Sequence, residues 1–471
     1  MQYPRLIIAG VQSGVGKTTL TLGTIAALHR RGQKVQPFKV GPDYIDSGLH
    51  FWAAERPSYN LDTWMCPPDM VRQVFAANAS QADVSIIEGV MGLFDGARVG
   101  DIQGSSADIA LLLDAPVILV VNVEAMAGSA IALVKGYRDY HPRVKLGGVI
   151  LNRASAYHRT YIQPVMEQEL GIPVLGCFKP NKEIHMPERH LGLLPADENR
   201  ELTNLIQKMA DMVEKHLDLD RLLKIAQTAP EIDIAAAKNM EKSQVHLGVA
   251  RDKAFSFYYQ DSLDFLEEKG VQLVFFSPME DEALPALDGL YFGGGFPEMF
   301  IEHLSRNESM ISSVIRAYQN GMPIYAECGG YMYLCRELED WSGRVWNGAG
   351  LVPARVKMTR NLQALGYIEA RALTDSPMAA AGQILRGHEF HYSRIEEMDK
   401  GPNAFAFYGG LNADHRQEGY AKGNLIASYL HIQMRSHPEA VERFIQSCQS
   451  YRLMKEQDTH QTGEARAVQG E

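Results

Sequence analysis

The stretch 6-LIIAGVQSGVGKTT-19 decides the fold of the first half of this chain. Leu6, Ile7, Ile8 and Ala9 form a continuous apolar run, the pattern of a strand buried on both faces. Leu20, Leu22, Ile25, Ala26 and Leu28 then supply the apolar face of an amphipathic helix. A glycine-rich loop ending in Gly16-Lys17-Thr18 joins the two. Strand, glycine loop and helix aim backbone N–H groups and the positive end of the helix dipole at a phosphate chain. In that geometry Lys17 reaches the β/γ-phosphates of a nucleoside triphosphate and the Thr18 hydroxyl binds Mg²⁺. The common spacing asks for a glycine where Val11 stands, and Gly10 lies one residue earlier.

Working outward, the 471 residues exceed one ordinary core, so two domains of about 200 residues each are expected. Hydrophobic residues at 46% and charged residues at 22% are those of a soluble globular protein. Asp114 and Pro116 break the longest apolar region, residues 109–123, which excludes a membrane span there. Gly10 interrupts the N-terminal apolar run before it reaches signal-peptide length. Five cysteines (Cys66, Cys177, Cys328, Cys335 and Cys448) form no CxxC pair, which points to the cytoplasm and away from zinc or a disulfide framework. A net charge of −11 argues against nucleic acid or a membrane surface as partner, and leaves anionic small substrates open.

Further strands are expected at residues 35–40, 84–87, 116–122, 146–152 and 171–176, alternating with helices. That alternation predicts a parallel sheet with its ligands at the carboxyl ends of the strands. Asp43, Tyr44 and Asp46 then fall in a loop on the same rim as the phosphate loop, unless they form only an exposed turn. Glu88 ends the strand at 84–87, where a magnesium-associated acid sits in such enzymes. Asn152 and Arg153 end another strand, where a nucleotide base could be read. Arg189 and His190, in a predicted loop, are candidates for anion contact or for surface ion pairs. Residues 216–244 are charged and Ala/Lys-rich and read as a linker, giving domains at 1–215 and 245–455 and a disordered polar tail at 456–471.

The alternation restarts at Val245. Gly293, Gly294 and Gly295 follow a predicted strand and hold backbone N–H groups close to something small. The run Ile324-Tyr325-Ala326-Glu327 delivers Cys328 to a Gly329-Gly330 turn that opens a helix, the form of a nucleophile elbow with sulfur as nucleophile. A helix N-terminus there is expected to lower the thiol pKa. The base is expected to be His431, at the end of a strand over residues 424–430. His437, in the triplet His437-Pro438-Glu439, is the alternative, but it opens the last helix. The residue two after His431 is Gln433, so no carboxylate orients it from the usual place. Arg386, His388, Glu389 and His391 concentrate in a stretch read as a polar loop without metal-ligand spacing.

In this order GVQSGVGKTT, KVGPDYIDSGLH, EGVMGLFDG, GGGFPE, YAECGGYMYL, RGHEFHYS and ASYLHIQ resemble the cobyrinic acid a,c-diamide synthase family over about residues 4–450. The first half resembles the dethiobiotin synthetase branch of P-loop proteins, and the second a class I glutamine amidotransferase of the subgroup lacking the third carboxylate. The implied fold is α/β in two domains, a P-loop parallel sheet followed by a flavodoxin-like sheet. The implied activity is a C–N ligase that amidates two side-chain carboxylates of a corrinoid macrocycle, with ATP and L-glutamine as co-substrates and Mg²⁺ as cofactor. By resemblance Gly14, Val15, Gly16, Lys17, Thr18, Thr19 and Asn152 hold ATP, and Thr18, Asp43 and Glu88 hold the Mg²⁺. Tyr44, Asp46 and Asp95 line the macrocycle site. Cys328 and His431 hydrolyse glutamine, with the oxyanion at Gly294, Gly295 and Gly329. A homodimer stays open. Hydrogenobyrinic acid, Ni-sirohydrochlorin and cobyric acid enzymes share the chemistry. A partitioning ATPase is the rival of another class, but Gln12 stands where those proteins carry a signature lysine.

Overall fold

The computed structural model describes residues 2–181, 184, 200–232, 243–397, 401–410 and 415–468. The chain divides into two units, residues 1–237 and 238–471. In the first, β1 (Arg5–Gly10), β2 (Val35–Val40), β3 (Tyr59–Leu61), β4 (Val84–Gly92), β5 (Val117–Asn122), β6 (Leu146–Asn152) and β7 (Val174–Phe178) form one sheet. Its order is β3-β2-β4-β1-β5-β6-β7, and the pairings are parallel. Every residue of β1 and β2 is buried, the polar Arg5, Gln36 and Lys39 included. The phosphate loop leaves the carboxyl end of β1, and α1 (Lys17–Arg30) follows it, with Leu20, Leu22, Ile25 and Leu28 in the core.

The sequence missed β3, which is three residues long, and β4 runs five residues beyond the expected Ile87. The loop expected after β2 stops at Tyr44, because α2 (Ile45–Ala54) starts at once and buries Leu49, His50 and Ala53. The expected linker is also corrected at its start. The helices Arg200–His216 and Leu219–Gln227 bury Met209, Val213, Leu222 and Ala226 in the first unit's core. Gly23 of α1 shows how tightly they pack, since a Cβ there would stand 2.7 Å from the Met209 carbonyl oxygen. Arg5, fully buried, donates to the carbonyls of Tyr3 (2.8 Å), Leu113 (2.5 Å) and Pro230 (2.9 Å), pinning the segment beyond these helices to β1. Arg189 and His190 lie outside the described residues.

The second unit opens with β8 (His246–Ala250), β9 (Phe255–Phe257), β10 (Gln272–Phe276), β11 (Gly289–Phe292), β12 (Gly294–Gly295) and β13 (Ile324–Glu327). They are followed by β14 (Cys335–Glu339), β15 (Val345–Asn347), β16 (Val352–Met358), β17 (Ala364–Ala372), β18 (Ile384–His391) and β19 (Ser393–Glu397). The last are β20 (Phe405–Gly409), β21 (Arg416–Glu418), β22 (Tyr420–Lys422), β23 (Leu425–Ser428) and β24 (His431–Ile432). The main sheet has the order β10-β8-β11-β13-β23-β22 and is parallel except for β22. Strands β12 and β9 pair as a two-stranded sheet, and two larger sheets, β15-β14-β16-β19 and β21-β20-β17-β18-β24, are built from strands that follow the elbow.

Three expectations change here. The stretch 385–393, read as a loop, lies mostly in β18, where Leu385, Gly387 and Glu389 are buried and Arg386 is exposed. The strand expected at 424–430 ends at Ser428, and His431 belongs to a different sheet, paired with His388 of β18. The tail expected to be disordered from residue 456 continues the helix Pro438–Val468. Its first turns bury Ala440, Val441, Phe444 and Cys448, and a helix nucleated on such a face extends through polar residues at low cost. The assignment of residues 219–227 to a core can be tested directly. Leu222→Ala should lower the unfolding free energy of the first unit by about 2–4 kcal/mol in a urea titration, whereas a linker residue would change it little.

Candidate active sites

In the first unit, β2, β4 and the starts of α1 and α2 bring a cluster of polar side chains together beside the phosphate loop. Register pairs Glu88 with Ile8 on one side and with Lys39 on the other. Glu88 is fully buried and meets three partners. Thr18 Oγ1 donates to its Oε1 at 2.6 Å, the Lys39 ammonium lies 3.2 Å from the same oxygen, and His50 Nε2 lies 2.7 Å from Oε2. Lys39 also binds Asp46 at 2.6 Å and lies 3.9 Å from Asp43. Thr18 reaches Asp46 at 3.4 Å, and Ser58 Oγ meets His50 Nδ1 at 2.9 Å.

Burial opposes every charge in this cluster, and the balance differs from group to group. The carboxylates of Asp46, Glu88 and Asp43 outweigh it at Lys39 and raise its pKa. Burial alone would raise the Glu88 carboxyl, but Lys39, His50 and Thr18 hold it below the usual carboxylate range. Burial, then Asp43 and Glu88, push the Asp46 carboxyl well above that range. One lysine therefore compensates more than one acid. Lys39 and His50 were not singled out in the sequence. A lysine inside the strand expected at residues 35–40 is the available signal, since a buried cation needs acids around it.

The loop itself is held from several sides. Gly16 has φ 96°, and a Cβ there would run into the Asn152 amide, which donates to the Val15 carbonyl at 2.7 Å. Asn152 thus supports the loop, and its amide nitrogen is engaged where base reading was expected. Lys17 donates to the carbonyls of Gln12 (3.2 Å) and Met91 (2.5 Å), and burial followed by Lys39 lowers its pKa. Asp43 Oδ1 accepts from the Asp46 amide (2.9 Å), and Tyr44 stands at the N-cap of α2. Asp95 Oδ2 accepts from the Gly92 amide (2.7 Å), closing the turn after β4.

The second unit carries the elbow. Cys328 has φ 45° and ψ −100° at the head of the helix Gly329–Leu334, and its amide donates to Ser428 at 2.7 Å. Such a backbone is strained for a residue with a Cβ and persists where its surroundings enforce it. A Cβ on Gly329 would stand 2.9 Å from the Gly295 amide nitrogen, and one on Gly294 would stand 2.5 Å from His431 Cε1. Cys328, Gly294, Gly295, Gly329 and His431 are thus brought together. His437 is engaged elsewhere, with Nε2 at 3.1 Å from the Arg386 amide and 2.8 Å from its carbonyl. The expected lowering of the thiol pKa is corrected. Burial, then Glu298 and Glu327, push the Cys328 thiol up, outweighing the helix N-terminus.

Two family models match the two units. Residues 6–194 match a CobQ/CobB/MinD/ParA nucleotide binding domain, and residues 246–439 a CobB/CobQ-like glutamine amidotransferase domain. The chain is 45% identical to the cobyrinate a,c-diamide synthase of Syntrophotalea carbinolica, over 95% of this chain and 99% of that one. It is 42% identical to the enzymes of the same name from Caldanaerobacter subterraneus subsp. tengcongensis (94% of this chain, 98% of that one) and Priestia megaterium (96% and 98%). The chain belongs to the cobyrinate a,c-diamide synthase family. It is a glutamine-dependent amidating ligase of cobalamin biosynthesis with α/β units, and ATP and glutamine fit its two domains as substrates. A partitioning ATPase would leave residues 246–439 without an account. Among the described residues no helix is long and apolar enough to cross a membrane.

The buried cluster makes a testable demand on this diamide synthase relative. Glu88, with its lowered pKa, contributes stability above the ordinary carboxylate range and loses it as pH falls through its depressed value. Lys39→Met should therefore cost the first unit about 3–5 kcal/mol at neutral pH, shrinking in acid as the orphaned carboxylates protonate. Urea titrations at both pH values check it.

Proposed function

We propose that the chain converts the a and c carboxylates of cobyrinic acid to amides, one acyl phosphate at a time. The observation that supports this reading is that each unit gathers groups suited to one half of the chemistry: Thr18, Lys39 and Glu88 beside the phosphate loop in one, and the Cys328 turn with Gly294, Gly295 and His431 close by in the other. The relatives' names favour cobyrinic acid over the hydrogenobyrinic, nickel-containing or further amidated macrocycles.

In the first unit, a substrate carboxylate oxygen attacks the γ-phosphorus of ATP and ADP leaves, giving an acyl phosphate. Gly14, Val15, Gly16 and Thr19 present the loop to the phosphates, and Lys17 swings from its carbonyl partners to the transferring group. In this reading the Thr18 hydroxyl and the acids Glu88 and Asp43 would supply hard oxygen donors of the kind Mg²⁺ takes. Bound there, the ion would neutralise triphosphate charge. Tyr44, Asp46 and Asp95 face the macrocycle in this reading, and Lys39 balances the acids around it.

In the second unit, the Cys328 sulfur attacks the glutamine carboxamide after its proton passes to His431. The oxyanion is held by backbone N–H groups at Gly294, Gly295 and Gly329. His431 returns the proton to the leaving ammonia, and water then hydrolyses the thioester to glutamate and free thiol. Ammonia attacks the acyl phosphate, releasing phosphate and the amide. The raised thiol supports a thiolate formed only when His431 takes the proton. All five cysteines are free thiols, which supports the cytoplasm as compartment.

Cys328→Ala should lower glutamine-dependent amidation by at least about a thousandfold and leave ammonia-dependent amidation within about twofold. Mass spectrometry with ATP, Mg²⁺, glutamine and each candidate macrocycle should show two successive hydroxyl-to-amino exchanges on cobyrinic acid. Loss of both activities in Cys328→Ala, or a His431→Ala enzyme with full glutaminase activity, would overturn the two-site reading.

A further inference from the structure

His431 faces a carboxylate that comes from an unexpected direction. Glu327 ends β13, directly before the nucleophile, and its Oε2 lies 3.6 Å from His431 Nδ1. Both side chains are nearly free of solvent, at 1% and 2% exposure. Three neighbours hold the carboxylate. Tyr325, two residues earlier on the same face of β13, donates to Oε1 at 2.6 Å. Tyr291, paired with Tyr325 across β11 and β13, donates to Oε2 at 3.0 Å, and the Ile432 amide donates to Oε1 at 3.3 Å. Among the described residues, the basic group in ion-pair range of Glu327 is His431.

The other face of the imidazole is covered without adding charge. His388 stacks on His431 with ring centroids 4.9 Å apart at 21°, and its Nδ1 meets the Tyr259 hydroxyl at 3.1 Å. Burial, then His431, hold the His388 pKa well below the ordinary histidine range, so it stays neutral near neutrality. Glu327 therefore supplies the ionic contact that orients the ring.

We propose that Glu327 is the positioning carboxylate of the glutaminase site, accepting Nδ1–H of His431 so that Nε2 faces the Cys328 thiol. The 3.6 Å separation closes to hydrogen-bond length as the imidazolium forms, since such bonds are often long before substrate binds. Orienter and nucleophile are then consecutive residues, Glu327 and Cys328, and Gln433 at the usual carboxylate position is no obstacle. The role goes beyond the proposed glutaminase reading and rests on Cys328 and His431 acting as assigned there.

Glu327→Gln keeps the shape of the side chain and removes its charge. Glutaminase kcat should fall at least about a hundredfold, with KM for glutamine within about threefold. Ammonia-dependent amidation by the same enzyme should be unchanged. Glu327→Asp, charged but one methylene short, should recover part of kcat, which a space-filling role would not explain. A folded Glu327→Gln enzyme with wild-type kcat, or equal kcat in the two variants, overturns the proposal. Should Glu327→Gln fail to fold, Glu327→Asp decides alone: a lower kcat at constant KM supports the role, and an unchanged kcat refutes it. A Cys328→Ala enzyme that still used glutamine would instead remove the reading beneath it.

Discussion

The Lys39 ammonium, buried among Glu88, Asp46 and Asp43, is the interaction on which the phosphate-loop unit depends. A parallel sheet covered on both faces leaves little room for charge in its interior, so polar side chains gather where strands end. Here three strands deliver them to one place. The first turn of α1, after β1, contributes Thr18, β2 contributes Lys39, and β4 contributes Glu88. The cation makes the acids tolerable in low dielectric, and the acids make the cation tolerable. His50 completes the set by engaging the second oxygen of Glu88 from α2, a helix that begins within the expected loop.

The same constraint recurs in the second unit with a different outcome. Glu327 also ends a buried strand, but its balance comes from two tyrosine hydroxyls, a backbone amide and an imidazole. Neither tyrosine brings charge, so the carboxylate's field falls on His431 and on the neighbouring thiol. Burial and nearby acids leave that thiol protonated at rest. The strained Cys328 backbone and the close approach of Gly329 to Gly295 give the elbow its form, while His431 is brought in from another sheet.

The residues most legible in advance were those whose role is local. Gly14, Gly16, Lys17 and Thr18 sit in a continuous stretch whose spacing already implies the turn, and Cys328 with its two glycines does the same. Lys39, His50 and Glu327 carry no such local signal. Their significance lies in partners 49, 38 and 104 positions away (39 to 88, 50 to 88, 327 to 431), which periodicity along one strand does not reveal. The polar stretch 385–393 misled for a related reason. Its buried residues include the polar His388 and Glu389, and a strand in an antiparallel sheet does not show the apolar run of a central parallel strand.

Sequence alone determined the order of the two α/β units, the phosphate loop and the strand–Cys328–glycine turn, because each rests on contiguous patterns of apolar, glycine and nucleophilic residues. Only the tertiary structure decided where residues 219–227 pack, that Asn152 braces the loop, that Lys39 is the buried counter-ion and that Glu327 stands behind His431. The physical reason is desolvation: what a buried charged side chain does is set by the partners that compensate it, and strand pairing brings those from distant parts of the chain.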